Sequence, residues 1–201
     1  MKIQKKKGSR KFVMKKKSII LALVLIIGIV SGSMSVSAYQ IWMSGGFSPT
    51  PAYVYCYSGF SSETLAAVHN ACLAWNGAGQ GNLVFRSTNS HSTITFPYQN
   101  NKNEITKGYR GSNTYLMATA ATQTSGNSLK EADIDINISH DFGTADTSYD
   151  TRTAITHEIG HLLGLDEMYI GTTNVMYYKR AVGDRCHALS TDDKAGIAAI
   201  Y

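Results

Sequence analysis

The sequence points to an α+β domain, and three features carry that expectation. Strand-like and helical segments follow one another as strand, helix, strands, helix, and the chain closes on a further helix. Residues 132–138 alternate strictly, with Ile134, Ile136 and Ile138 on one side and Asp133, Asp135 and Asn137 on the other. That is the pattern of a half-buried strand. A helical stretch stopped by Gly164 carries His157 and His161 four residues apart, so both lie on one face about one turn from each other.

Residues 1–38 are expected to lie outside that domain. Lys2 to Lys17 is a basic run, 18–30 is apolar, and Val36-Ser37-Ala38 fits a small-residue cleavage site, which together read as a secretory signal peptide. The apolar run is short of the ~20 residues a membrane span needs, so no stable membrane association is expected after cleavage. Residues 39–201 then form one domain of 163 residues, enough for a core of its own. Nine of the 19 Lys and Arg residues, and none of the 14 acidic ones, precede Ala38. The positive formal charge of the whole chain thus becomes −4 in residues 39–201, and a nucleic-acid role is excluded with it. Cys56, Cys72 and Cys186 lie in the exported part, where one disulfide and one free thiol are expected, in any of three pairings.

In chain order, 52–57 is rich in β-formers and reads as the first strand. Ser61 or Ser62 caps a helix through Trp75, with Leu65, Val68, Cys72 and Trp75 on its apolar face. Residues 83–86 and 93–96 read as two strands around a polar turn or bulge at 87–92. The segment 111–123, with Tyr115, Leu116 and Met117, is β-prone, and 132–138 is the alternating strand. Its acidic side, together with Asp141, Asp146 and Asp150, invites a calcium reading because hard oxygen ligands suit that ion. No loop spacing supports it specifically, and a solvated acidic face is the expectation. His69, His91, His140 and His187 are scattered and read as surface or core residues. Ser190 caps the closing helix to Ile200.

The chemistry concentrates in 157–167, His-Glu-Ile-Gly-His-Leu-Leu-Gly-Leu-Asp-Glu. Asp150 or Thr151 caps this helix, and Ala154, Ile155, Ile159, Leu162 and Leu163 supply its apolar face. Two imidazoles one turn apart can bind one metal ion, and Glu158 can reach a water on that metal without ligating it. In this arrangement zinc lowers the water's pKa and the glutamate takes the proton. Gly164 turns the chain, so a third ligand can come from Asp166 or Glu167.

These residues resemble a metzincin metalloprotease, and within that clan the matrixins. His157, Glu158, His161 and Gly164 match the extended zinc-binding pattern. Asn174-Val175-Met176-Tyr177-Tyr178 resembles the Met-turn, and 189–197 resembles the start of the matrixin C-terminal helix. The resemblance implies a twisted, mixed five-stranded sheet with three helices and a Met-turn, Met176 lying beneath the metal. It implies one catalytic Zn2+, and no second, structural zinc, because the histidines for one are not evident. One departure stands out: Glu167 occupies the position of the third histidine. The family pattern assigns that position to the ligand, with Asp166 as competitor, and His2Glu is a workable zinc set. The carboxylate's charge makes the metal less Lewis-acidic and raises the pKa of its water. By the same resemblance, 111–123 is the edge strand above which extended substrate lies, 179–189 walls a side-chain pocket, and Tyr178 is a candidate donor to the oxyanion.

The expected activity is that of a secreted, monomeric zinc endopeptidase acting on proteins or peptides. The lysine-rich leader resembles those of Gram-positive bacteria. The alternative is a secreted zinc-containing domain that binds peptide or protein without cutting it. Glu158 favours the enzyme, since a pure binder needs the ligands but not the base.

Overall fold

A computed structural model describes residues 39–201, and the signal-peptide assignment lies outside them. Strands β1 (Ala52–Tyr57), β2 (Val84–His91), β3 (Asn103–Gly108), β4 (Met117–Ser125) and β5 (Ser128–Asn137) form one sheet in the order β2-β1-β3-β5-β4. Four strands run parallel and β4 is antiparallel to β5. The sheet is therefore mixed and five-stranded, with β4 on an edge. Two-residue strands β6 (Phe142–Gly143) and β7 (Tyr149–Asp150) pair separately. The helices are α1 (Ser62–Asn76), α2 (Thr151–Leu162) and α3 (Thr191–Ile200).

Helix α1 forms where its cap and its stripe agree. The Ser61 hydroxyl accepts from the Thr64 N–H, and Ala67, Val68, Ala71, Cys72 and Trp75 make one buried face. Trp75 is fully buried, and its indole N–H donates to the Thr156 carbonyl of α2 at 2.7 Å. That bond joins α1 to the histidine-bearing helix. At the end of α1 the Asn76 amide spans to the start of β2, accepting from the N–H groups of Leu83 and Val84 and donating to the Val84 carbonyl.

Four expectations are corrected. The polar stretch 87–92 does not end a strand: β2 continues to His91, and its register against β1 jumps between Val54–Arg86 and Cys56–Ser90, so the bulge sits inside the strand. Residues 93–96 form no strand. The sheet's centre is instead β3, Asn-Glu-Ile-Thr-Lys-Gly, whose polarity hid it. The strand is viable there because its polar groups are paired: the Asn103 side chain donates to the Tyr53 carbonyl and accepts from the Ala132 N–H. The acidic face of β5 is buried, not solvated. All three cysteines are free; Cys56 and Cys72 are core residues whose thiols burial pushes up to about 11 and about 12.

The acidic face of β5 has a structural role. Glu131 accepts from the N–H groups of Asn100 and Asn101, and Asp133 from those of Tyr98 and Glu104. Asp135 takes two bonds from the Arg110 guanidinium, at 2.8 and 3.0 Å, and one from the Tyr115 hydroxyl. These carboxylates fasten the long β2–β3 connection and the approach to β4 across the sheet. Hydrogen bonds to charged groups contribute about 1.5–3 kcal/mol each, which offsets part of the cost of burying them.

Candidate metal centre

Helix α2 carries the centre, and its two ends define where the histidines stand. Asp150 caps it through the Thr153 N–H at 2.7 Å. At the other end the Leu165 N–H bonds the Gly160 carbonyl and the Gly164 N–H bonds that of His161, the two bonds of a Schellman stop. Gly164 has φ +103°, and a Cβ there would crowd the Met43 carbonyl. The chain then reverses alongside 40–43, with backbone bonds from Trp42 and Met43 to Gly164 and from Asp166 to Gln40. This turn brings Glu167 back over the face of α2.

Three side chains meet there. His157 Nε2 and His161 Nε2 are 3.1 Å apart, and Glu167 Oε1 lies 3.5 and 3.6 Å from them. Asp166 is outside the group; its carboxylate accepts from the Glu167 N–H. Each imidazole is oriented from behind: His157 Nδ1 is 2.9 Å from the Val175 carbonyl and His161 Nδ1 is 2.9 Å from that of Leu165. A carbonyl only accepts, so the Nδ1 atoms carry protons, and each imidazole in its neutral form presents a lone pair at Nε2. Two lone pairs and a carboxylate oxygen therefore converge on one point, an arrangement that demands a cation. Two ligands of a tetrahedral zinc lie about 3.3 Å apart, and the triangle's edges bracket that value. Glu167 Oε2 is buried without a partner, so the carboxylate keeps capacity for a cation.

The electrostatics agree. Burial works against a charged His161, but Glu167, Glu158 and the Leu165 carbonyl outweigh it and hold its pKa up at about 9. Glu167 is pulled down to about 2, against its own desolvation, by the two imidazoles. The pocket is thus built to hold positive charge at its centre.

The loop beneath is fixed from α3. Asp193, fully buried, accepts from the N–H groups of Val175, Met176 and Ser190, and Arg180 binds the carbonyls of Thr172, Asn174 and Val175. Val175 is the residue whose carbonyl orients His157, so both charged side chains act on that imidazole through it. Met176 is fully buried against α2, where Gly160 leaves it room. Asp193 escaped the sequence reading, although Ser190-x-x-Asp193 is a capping-box pattern. Arg180 left no sequence signal.

Glu158, only 6% exposed, stands beside His157, and its carboxylate accepts from the Thr119 hydroxyl of β4 at 2.7 Å. Hollows open on both sides of Glu158 along β4. One lies between α2 and Tyr177–Ala181, the other beside Trp42 and Asp166. Tyr178 lines the first, 49% exposed, its ring packed 5.1 Å from Tyr169 and 5.0 Å from Tyr177 between centroids.

The Matrixin family model matches residues 57–201. The chain belongs to the matrixin family. A zinc-metalloprotease kind of function follows from that membership, and the donor set of this matrixin fits zinc. No curated protein matches the chain. The His157–His161–Glu167 triad is the one three-residue metal-capable group among the described residues, and the β5 carboxylates are already occupied by backbone and guanidinium donors. No helix among the described residues is long and apolar enough to cross a membrane.

Proposed function

We propose that this matrixin is a secreted zinc endopeptidase that cuts internal peptide bonds of proteins. The observation that carries this reading is the convergence of His157 Nε2, His161 Nε2 and Glu167 Oε1 in a triangle of zinc size, next in sequence to the Glu158 carboxylate. When bound, one zinc ion supplies the positive charge that polarises a peptide carbonyl and acidifies water. Glu158 takes a proton from the attacking water and returns it to the leaving amine. Strand β4, on the sheet's edge, offers its free backbone groups to an extended peptide. The hollows on both sides of Glu158 let the chain continue past the cut in either direction, which favours an endopeptidase over an exopeptidase. Met176 takes the Met-turn position, and Tyr178 is the candidate donor to the oxyanion. Residues 1–38 act as the export signal, and the exported domain works as a monomer.

The test is casein turnover by the zinc-loaded protein beside Glu158→Ala. Loss of the base is expected to lower turnover by about 10²- to 10⁴-fold with zinc retained. Equal turnover by the two proteins refutes the mechanism.

A further inference from the structure

Thr119 lies within β4, paired with Ile134 of β5. Its side chain crosses to α2, where the hydroxyl oxygen is 2.7 Å from Glu158 Oε2 and 3.0 Å from the Glu158 carbonyl oxygen. A hydroxyl has one proton to give, and the nearer, charged carboxylate takes it, since such bonds are the shorter and stronger kind. No other hydrogen bond to that carboxylate is present among the described residues. A glutamate side chain is flexible, and confining it costs rotamer entropy. A single anchor on Oε2 therefore decides where the other oxygen sits.

We infer that Thr119 is a positioning residue for Glu158: its hydroxyl holds Oε2 so that Oε1 stays free to accept the water's proton. The inference rests on the endopeptidase reading and adds a specific dependence to it. The same strand that receives the peptide then sets the base. Backbone groups of β4 register the substrate, while the Thr119 side chain registers Glu158 against it. A displacement of β4 would misplace both together.

Valine is nearly isosteric with threonine and lacks the hydroxyl, whereas serine keeps the hydroxyl and loses a methyl. With a fluorogenic peptide as substrate, Thr119→Val is expected to lower kcat about tenfold and to change KM less than about twofold, the pattern of an interaction that matters in the transition state. Thr119→Ser is expected to recover kcat to within about threefold of the parent. Zinc stoichiometry should be equal in all three proteins. In a Glu158→Ala background, Thr119→Val should have no further effect, because its target is gone. A parent that cleaves the peptide while Thr119→Val cleaves it equally fast overturns this inference alone. So does a loss that serine fails to recover, a loss through KM only, or an undiminished effect in the Glu158→Ala background. A zinc-loaded parent that cleaves nothing overturns the endopeptidase reading and this inference with it.

Discussion

Gly160→Ala should destabilise this protein, against the ordinary expectation for a helix. Gly160 is inside α2, and replacing an interior helical glycine by alanine normally gains about 0.5–1 kcal/mol. Here a Cβ would overlap the Met176 sulfur and stand 2.8 Å from Cζ2 of Trp75. Met176 alone could yield, being flexible, but both side chains are fully buried, and the Trp75 indole is tied to the Thr156 carbonyl. Overpacking of this kind costs about 1–3 kcal/mol, so the steric term outweighs the propensity gain by roughly 1–2 kcal/mol. For a domain of this size, that corresponds to a fall in Tm of about 2–8 °C. The displacement also has a route to the metal site. Pushing Met176 down shifts Val175, whose carbonyl orients His157. Zinc affinity should therefore fall along with Tm. Calorimetry of the zinc-loaded parent and variant, with zinc titrated against a competing chelator, measures both quantities. A Gly160→Ala protein that melts at or above the parent refutes the packing argument.

Two further outcomes are expected. Glu167→Ala removes one corner of the triangle and should weaken zinc binding by more than the roughly 10- to 100-fold typical of an outer-shell partner, whereas Asp166→Ala should change it far less; chelator competition on both variants decides which carboxylate is the ligand. Burial pushes the Asp133 carboxyl up from 3.8 to about 6, against the N–H groups of Glu104 and Tyr98 that lower it. The folded state then holds this proton more tightly than the unfolded chain. Its stabilising contribution is complete below pH 3.8 and is lost as pH rises through about 6, a swing of at most about 3 kcal/mol. Asp133→Asn should remove that slope between pH 4 and 6 from the Tm profile, and an unchanged slope would show that another group produces it.

Whatever could be read from the sequence is encoded over short separations. The cap at Asp150, the four-residue spacing of His157 and His161 and the stop at Gly164 all lie within one helix and its turn, so their geometry follows from 3.6 residues per turn and the conformational freedom of one glycine. The same holds for the cap at Ser61 and the buried stripe ending at Trp75. The alternation at 132–138 was also real, but its meaning depended on what lay across it. The pattern predicts one buried face, and the structure buries both, because the 93–110 segment returns over β5: backbone N–H groups of Tyr98 and Glu104 satisfy Asp133, and the Arg110 guanidinium satisfies Asp135. For the same reason β3 was invisible. Asn103, Glu104 and Thr106 look like loop residues until Tyr53, Ala132, Asp133 and Thr93, 13 to 50 residues away in sequence, are in place as their partners. Within the site, the sequence offered His157 and His161 with Asp166 or Glu167 for a metal, and Glu158 as the candidate base. The tertiary structure placed Glu167, the position the family pattern favoured, and not Asp166 in the group, and it alone set Val175 behind His157 through Asp193 and Arg180 and brought Thr119 of the edge strand to Glu158. The contacts of Thr119 with Glu158 and of Asp193 with Val175 join elements distant in the chain, and a local pattern carries no information about where such elements meet.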